Sequence, residues 1–425
     1  MRVGVMGLGK LGACLVASLA HGGHTVTGFD ISAAAVGAIN SRQPLVHEPG
    51  LADLLEKNAG RISATQDVHT ALHDAEAVFI IVPTPSGPAG DFSNTYVAQA
   101  LEAIGANLRA NPRRITVVIS STVMPGSCET EFIPLLEASS GLTVGKEIGL
   151  GYSPEFIALG SVLKDMSQPD LILIGQSDAE TGAIVSKIAL SMVSNTPEVR
   201  NMSLSSAEIT KIAINTFVTT KISFANMLSE LCDEIPGSNI DDVTSAVGSD
   251  RRVGKLYLKA ALGYGGPCFP RDNAALAFSA ESRGLTADIA RATDSVNRRQ
   301  VERIVSLVLQ SSQPGDKVGV LGLAYKPNTP VIDESQGLEI ARALSERDRA
   351  VVGFDPLVAG NVLEKSPNFV VAQSSSEMAG ATVVVVANPE LGHILESTAR
   401  GAVIIDMWGA HAADSPRIIR PGRPE

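Results

Sequence analysis

The residues with the clearest chemical potential lie in one loop, Leu262-Gly263-Tyr264-Gly265-Gly266-Pro267-Cys268-Phe269-Pro270-Arg271-Asp272. Its glycines would let the backbone approach a ligand closely, and Pro270 suits the first turn of a helix. Cys268 would then lie at the positive end of that helix, which favours a thiolate, with Asp272 one turn further along the same face. The other interpretation is a small buried thiol beside a glycine turn. The combination favours a catalytic cysteine.

A second motif opens the chain. Within Val3–Gly12, a predicted buried strand is followed directly by the pattern Gly-x-Gly-x-x-Gly. In a dinucleotide-binding fold Gly7 makes the turn, Gly9 admits the pyrophosphate and Gly12 lets helix and strand pack. A second strand ends at Asp30, which is placed to accept from the adenosine ribose and to repel a 2′-phosphate. The alternative is a glycine turn in an unrelated α/β protein. The pattern predicts NAD rather than NADP as cofactor.

Composition narrows the class of protein. A chain of 425 residues is expected to form two or three domains, and its net charge of -11 argues against nonspecific nucleic-acid binding. Four scattered cysteines resemble neither a disulfide framework nor a zinc site, so no metal is expected. A strand that starts at residue 2 leaves no room for a signal peptide, and no apolar run would span a bilayer. We expect a cytoplasmic protein without membrane anchoring.

Strands and helices alternate through about residue 195, as in a doubly wound parallel sheet. The strands Ala77–Val82 and Ile115–Ser120 each end in a polar loop, Pro83-Thr84-Pro85 and Ser121–Gly126. Ligands bind outside the carboxyl ends of such strands, so both loops should face the cofactor. Ordinary strand-terminating turns are the alternative.

The run from Ser205 to Glu234 contains no glycine or proline and predicts one long helix. Lys211 and Asn215 share a face of it and could aim an ammonium and an amide into one pocket, although Lys211 could equally be a solvated cation. The apolar residues cover more than one face. This pattern is typical of a domain junction or a dimer interface.

The second half of the chain repeats the first. Val318–Ala324 echoes the opening strand and loop, and Val351–Asp355 echoes the strand that ends at Asp30. The third glycine is lost here and Tyr325-Lys326-Pro327 follows, which predicts a nucleotide site that does not bind in the dinucleotide manner. Arg417–Glu425 is expected to be a loose tail.

The predicted fold is α/β, with two Rossmann-like doubly wound domains joined by a long central helical segment. The predicted domains are an NAD-binding domain at 1–200, a helical domain with the cysteine loop at 201–312, and a second nucleotide-binding type of domain at 313–425.

These motifs together resemble the UDP-glucose/GDP-mannose dehydrogenase family over nearly the whole chain. The resemblance is carried by the glycine fingerprint, His47–Leu51, Val82–Pro85, Ser121–Val123, Pro154–Phe156, Lys211 with Asn215, the Cys268 loop and Gly322–Pro327. It implies an NAD domain, a central helical dimerisation segment and a domain that grips the nucleoside diphosphate of a sugar.

The resemblance also implies a four-electron oxidation of a primary alcohol to an acid with two NAD molecules. Lys211 and Asn215 would stabilise the alkoxide, and Asp272 would assist proton transfer. Cys268 would form a thiohemiacetal and then a thioester, which water ordered by Glu155 and Thr122 would hydrolyse.

The resemblance assigns further residues to binding. The expected cofactor residues are Gly7, Leu8, Gly9, Lys10, Leu11, Gly12, Asp30, Val82, Pro83, Thr84, Ser121, Thr122, Glu155 and Cys268. The expected substrate residues are Glu155, Phe156, Lys211, Asn215, Arg252 from a neighbouring subunit of a homodimer, Tyr257, Lys259, Gly265, Gly266, Tyr325 and Lys326.

Departures from the family pattern concern the substrate. Asp333 and Trp408 stand where the family has arginines, Leu159 replaces a glutamate and Pro267 replaces a serine. Loss of phosphate-facing cations would weaken diphosphate binding. UDP-glucose is therefore the default substrate, and an atypical nucleotide sugar or a sugar nucleoside is the alternative.

Two other classes stay open from the residues alone. The β-hydroxyacid dehydrogenases share the fingerprint and a Lys/Asn helix but oxidise by two electrons, and Cys268 speaks against them. A non-enzymatic nucleotide-binding protein would have no use for Cys268, Lys211, Asn215 and Asp272.

Overall fold

In the computed structural model the chain is described for residues 1–45, 48–157, 160–358, 368–395, 401–409 and 417–423. It divides into two compact units, Met1–Ala213 and Ile214–Glu425. The division falls inside one continuous helix, α9 (Leu204–Glu234). The sequence predicts this helix at Ser205–Glu234. The three predicted domain ranges stay a prediction.

The first unit is built on an eight-stranded sheet in the order β3-β2-β1-β4-β5-β6-β7-β8. Its strands are β1 (Arg2–Met6), β2 (Thr25–Phe29), β3 (Ile62–Thr65), β4 (Ala77–Ile80), β5 (Ile115–Ile119), β6 (Ile148–Tyr152), β7 (Leu171–Gln176) and β8 (Glu198–Met202). The pairs are parallel except β6 with β7, which is antiparallel. The parallel sheet that the sequence predicts is therefore interrupted at this one pair among the described strands, because a strand's own residue pattern does not record its direction.

Both faces of this sheet are covered, as its continuous apolar strands require. Alternate residues of β4 point to opposite sides, with Phe79 in one core cluster and Val78 and Ile80 in the other. The helices of the unit are α1 (Lys10–His21), α2 (Ala33–Ser41), α3 (Leu51–Lys57), α4 (Val68–Leu72), α5 (Thr95–Ala110), α6 (Ile133–Ser140), α7 (Val162–Ser167) and α8 (Ala179–Ser191). Short 3₁₀ and π turns lie at Ala59–Arg61 and Cys128–Phe132.

The second unit carries a parallel six-stranded sheet in the order β11-β10-β9-β12-β13-β14. Its strands are β9 (Lys317–Leu321), β10 (Ala350–Phe354), β11 (Phe369–Val371), β12 (Val383–Val386), β13 (Val403–Asp406) and β14 (Arg417–Ile419). Its helices are the remainder of α9, α10 (Ile240–Ser249), α11 (Phe269–Glu281), α12 (Asp288–Gln310) and α13 (Gln336–Ser345), with 3₁₀ turns at Ser375–Met378 and Pro389–Ile394. Both sheets thus have the 3-2-1-4-5-6 order of a doubly wound dinucleotide fold in their first six strands.

Residues 417–423 are bonded to the rest of the second unit, so the expectation of a loose tail was wrong for them. Strand β14 pairs in parallel with β13. Beyond it the backbone N–H of Ile240 donates to the carbonyl of Gly422 at 2.8 Å, and Arg423 pairs with Asp241. A three-residue edge strand and contacts far away along the sequence explain why the local pattern did not predict this. Residues 424–425 lie outside the described part.

The second half lacks the third glycine of the fingerprint at the expected position, but a glycine further along the chain takes its packing role. A Cβ on Gly337, at the start of α13, would lie 2.2 Å from the carbonyl oxygen of Gly322, as one on Gly12 would lie 1.9 Å from that of Gly7. Gly337 therefore has the packing role of Gly12. It is displaced along the chain by the inserted loop 324–335.

Helix α9 exposes large apolar side chains in a single chain. Phe217, Phe224 and Leu231, at a spacing of seven residues, are 65%, 44% and 55% exposed.

Among the described residues, none of the helices has the length and apolar character needed to cross a membrane.

Candidate active site

The glycine loop after β1 forms an open cradle at the start of α1. Gly7 has φ +102°, and its carbonyl leaves no room for a side chain on Gly12. A Cβ on Gly9 would meet nothing within 4 Å. Gly9 also caps α1, which begins at Lys10 and continues with Leu11. Backbone N–H groups at an open helix N-terminus fit a pyrophosphate.

Asp30 completes this cradle at the end of β2. Its carboxylate accepts the backbone N–H of Leu8 at 2.7 Å and that of Ser32 at 2.8 Å. No arginine stands between residues 31 and 41 to receive a 2′-phosphate. The observed arrangement fits the adenosine and pyrophosphate parts of NAD.

The two predicted cofactor loops are tied together at the carboxyl ends of β4 and β5. Ser121 Oγ donates to the carbonyl of Val82 and Thr84 Oγ1 to that of Thr122, each at 2.7 Å. Pro83 lies between the bonded residues of the first loop. The loops therefore form one polar rim at the edge of the sheet where the glycine cradle also lies.

Lys211 is buried on α9 and lies against the loop that follows β6. Its ammonium donates to the carbonyl of Glu155 at 2.8 Å and lies 4.4 Å from the centre of the Phe156 ring. Burial raises the pKa of Glu155 to about 7, although the Lys211 charge opposes that rise. The first unit therefore brings together a buried cation and a carboxyl group that exchanges its proton near neutral pH.

Cys268 lies where the sequence places it, at the amino end of a helix. It is exposed and caps α11, with Pro270 in the first turn. The N–H of Asp272 donates to the Cys268 carbonyl at 2.8 Å, which starts the helical bonding. An accessible sulfur at a helix N-terminus is favoured as a thiolate nucleophile.

Asn215 and Asp272 form a buried polar pair in the same unit. Asn215 Nδ2 donates to Asp272 Oδ2 at 2.6 Å, and both side chains are more than nine-tenths buried. A buried carboxylate held by an amide is fixed in orientation, as a proton-transfer group must be. Asn215 lies one turn after Lys211 on α9.

The glycines of the cysteine loop have a packing role in addition to the ligand approach that the sequence predicts. A Cβ on Gly265 would lie 2.1 Å from the carbonyl oxygen of Glu334, and one on Gly266 would lie 2.5 Å from the Tyr325 ring. The N–H of Gly266 donates to the carbonyl of Asp333 at 3.0 Å. The glycines let the cysteine loop pack on the loop 324–335.

Two residues that sequence reasoning missed also fix this loop. Asn297 accepts the N–H of Tyr264 at 2.7 Å and donates to its carbonyl at 2.9 Å, and the Tyr264 hydroxyl bonds to Asp294. Nearby, burial raises the pKa of Tyr325 to about 12, with negative charge on Cys268 and Asp333 adding to the rise. Tyr325 therefore remains a neutral hydroxyl beside the sulfur.

The outer residues for which the sequence predicts a substrate role are mostly exposed. Arg252 pairs with Asp250 at 2.6 Å, and Lys259 faces solvent. Tyr257, at φ +61°, contacts Phe269 edge-on with ring centres 6.5 Å apart.

Most residues that depart from the family pattern can be located in the structure. Asp333 is exposed, and Lys326 Nζ lies 5.9 Å from the centre of the Tyr325 ring. Trp408 lies against both core clusters of the second sheet, and its buried indole N–H has no hydrogen-bond partner among the described residues. His47 and Leu159 lie outside the described residues.

Three models of one protein family match successive parts of the chain. Residues 1–192 match the NAD binding domain of the UDP-glucose/GDP-mannose dehydrogenase family, 205–299 its central domain and 319–413 its UDP binding domain. The chain is 34% identical over 392 residues to UDP-glucose 6-dehydrogenase AglM of Haloferax volcanii, which covers 91% of each chain. It is 32% identical over 359 residues to GDP-mannose 6-dehydrogenase of Pseudomonas aeruginosa, which covers 84% of this chain and 81% of the relative.

A solved structure is similar over the full length. The UDP-glucose dehydrogenase of Pyrobaculum islandicum matches with a TM-score of 0.90 and 32% identity, covering 100% of this chain and 98% of that one.

Proposed function

The chain belongs to the UDP-glucose/GDP-mannose dehydrogenase family, and we propose that it oxidises the primary alcohol of UDP-glucose to the carboxylate of UDP-glucuronate through Cys268. Family membership supports an NAD-dependent nucleotide-sugar dehydrogenase, without a choice of sugar. The observation that carries the proposal is the exposed Cys268 at the amino end of α11, in the unit that also holds the buried Asn215–Asp272 pair. The match through a UDP binding domain favours this activity over a β-hydroxyacid dehydrogenase or a non-enzymatic binder.

In the proposed first oxidation the chain stabilises an alkoxide. The Lys211 ammonium and the Asn215 amide would hydrogen-bond the negative oxygen, and Asp272 would accept the alcohol proton through water. NAD, when bound, would supply the hydride acceptor for each of the two oxidations. The residues named for the cofactor, from Gly7 to Gly12 and at Asp30, would hold it.

In the proposed second oxidation Cys268 keeps the aldehyde on the protein. The thiolate adds to the aldehyde carbon and gives a thiohemiacetal, and loss of a second hydride from that carbon gives a thioester. Water then attacks the thioester carbon, Glu155 takes a proton from that water, and the C–S bond breaks to release the acid and the thiolate. One water is consumed for two hydrides transferred.

The choice of UDP-glucose as the substrate is a separate part of the proposal. The relatives include enzymes for UDP-glucose and for GDP-mannose. An exposed carboxylate at Asp333, whose carbonyl accepts from the cysteine loop, would repel a nearby diphosphate. This observation favours an atypical nucleotide sugar or a sugar nucleoside as the second candidate.

A panel of sugars tests the proposal. NADH production is measured with UDP-glucose, GDP-mannose, UDP-N-acetylated sugars and sugar nucleosides, for the wild type, Asp333→Arg and the control Glu346→Arg. Glu346 is an exposed carboxylate at the other end of α13. We expect slow UDP-glucose oxidation that Asp333→Arg improves by about fivefold or more, equivalent to about 1 kcal/mol.

Several outcomes would count against parts of this proposal. Efficient UDP-glucose oxidation that Asp333→Arg does not improve would refute the role given to Asp333. Preference for another sugar would replace the default substrate. No NADH with any member of the panel would contradict the activity itself.

We also propose a homodimer through α9. The stripe Phe217, Phe224 and Leu231 has the seven-residue spacing of a helix–helix seam, and exposed apolar stripes of this kind mark interfaces. Arg252 would reach the neighbouring subunit's substrate. Fully active monomers in analytical ultracentrifugation at assay concentration would contradict this part of the proposal.

A further inference from the structure

Glu208 is a buried carboxylate on α9 for which the proposed chemistry has no role. It is 0% exposed and lies three residues before Lys211. Its two oxygens accept the backbone N–H groups of Gly126, at 2.6 Å, and of Cys128, at 2.8 Å. A buried carboxylate is costly unless it is well bonded, and the Cys128 side chain is a further hydrogen-bond partner of this one.

The two N–H groups belong to the segment that leads from β5 into α6. Gly126 has φ +98°, and Cys128 begins the π turn that continues into α6. N–H groups at such a helix start have no partner inside the helix, and a carboxylate there is doubly favourable. Glu208 is therefore bonded to this segment at the point where it turns into the helix.

The opposite end of the same segment is the polar rim. There Thr122 accepts from Thr84 and Ser121 donates to Val82. The loop 121–128 is thus held at one end by the loop after β4 and at the other by α9. A shift of α9 along its axis would be passed to Thr122 through these bonds.

We propose that Glu208 is a positioning residue, which fixes the loop 121–128, and with it the cofactor-facing Thr122, to the helix that carries Lys211. The inference deepens the proposed function and rests on it for the roles of Thr122 and Lys211. Its connection with NAD rests on the dinucleotide fold alone. Burial also raises the pKa of Glu208 and that of Cys128, as expected for groups that have no access to water.

The test replaces Glu208 by Gln and by Asp. Gln keeps one acceptor oxygen but turns an NH₂ group towards a backbone N–H, and Asp keeps the charge on a side chain that is one methylene shorter. The control is Glu129→Gln, the same chemical change on an exposed residue of the same segment. NADH affinity is measured by fluorescence titration, together with kcat, the KM of the sugar and the melting temperature.

For Glu208→Gln we expect the Kd of NADH to rise by about tenfold and kcat to fall by about tenfold, with the KM of the sugar within about twofold of wild type. Glu208→Asp should restore part of both losses, and Glu129→Gln should leave all values within about twofold. A merely structural role would lower the fraction of folded protein without changing the NADH affinity of that fraction.

Unchanged NADH affinity and kcat in folded Glu208→Gln would overturn the proposal. If that variant does not fold, Glu208→Asp is the test. Wild-type NADH affinity and wild-type kcat in Glu208→Asp would show that the position of the loop does not depend on the length of the Glu208 side chain, and would overturn the proposal. A wild type that oxidises no sugar would refute the proposed function, while the comparison of NADH affinities would still test Glu208.

Discussion

The loop after β1 and the loop after β9 begin in the same way and continue differently. Gly7 and Gly322 turn at φ +102° and +104°. In each half a leucine, Leu8 or Leu323, fills the space left by a glycine of the neighbouring strand. The two halves therefore share a loop design down to individual van der Waals contacts.

The two loops differ in the residues after the leucine. In the first half α1 starts two residues later, and its open N-terminus is directly available for phosphates. In the second half α13 starts only after the loop 324–335. The insertion carries Tyr325 and packs on the cysteine loop.

The matching carboxylates show the same divergence. Asp30 accepts two backbone N–H groups and is half-buried. Asp355 accepts three, from Leu323, Ala324 and Leu357, and is 5% exposed. One repeat keeps its carboxylate accessible to a ribose, and the other uses it to hold the protein's own backbone. A duplicated fold therefore does not imply a duplicated ligand.

The largest expected effect comes from Cys268, the proposed nucleophile of the second unit. Cys268→Ser should lower steady-state acid formation by about 10³-fold or more, because serine at a helix start is not ionised as a thiol is. Product analysis by mass spectrometry with NADH detection checks this, and Cys232→Ser, a buried cysteine on α9, is the control. Full turnover to acid by Cys268→Ser would exclude a thioester route.

The next effect concerns Glu155 in the first unit. Because its pKa is raised to about 7, the carboxyl is mostly protonated below that pH and mostly ionised above it. A base must be ionised, so acid formation should rise with pH through about 7 and level off. Glu155→Gln should remove this rise and lower the rate by about 10²-fold. An unchanged pH profile in the Gln variant would assign the base to another group.

A pair of glycine variants tests the comparison of the halves directly. Gly12→Ala and Gly337→Ala each place a methyl group against a glycine carbonyl and should each cost about 1–3 kcal/mol of stability. Only Gly12→Ala should also weaken NADH binding, by about tenfold. Gly37→Ala, at an exposed helical site with open space, is the control. Equal loss of NADH affinity in both variants would mean that the second repeat also binds the cofactor.

The smallest effect is expected for the two carboxylates. Asp30→Asn should reduce the preference for NAD over NADP by about tenfold, because it removes the charge that repels a 2′-phosphate. Asp355→Asn should leave that preference unchanged and lower stability by about 1–3 kcal/mol, since a buried N–H loses its acceptor. Kinetics with both cofactors and thermal unfolding distinguish the two. A changed cofactor preference in the Asp355 variant would contradict the assignment.

Much of the fold and the site could be predicted from the sequence, because local patterns carry it. The glycine fingerprint, the helix α9 and the helix start at Cys268 are each specified by residues next to one another. Strand direction at β6–β7, the pairing of β14 and the role of Gly337 were missed, since each depends on partners far away along the chain. The same holds for Glu208, which reads as a solvated helix charge until its two backbone partners are seen.

The most direct test of the central claim is the number of NADH molecules formed for each molecule of sugar consumed by the wild-type protein. The sugar is the most active member of the panel, supplied in limiting amount with excess NAD, and the product is identified by mass spectrometry. The account predicts two NADH per sugar and a carboxylate product, with no aldehyde released into solution. One NADH per sugar with a carbonyl product would contradict it.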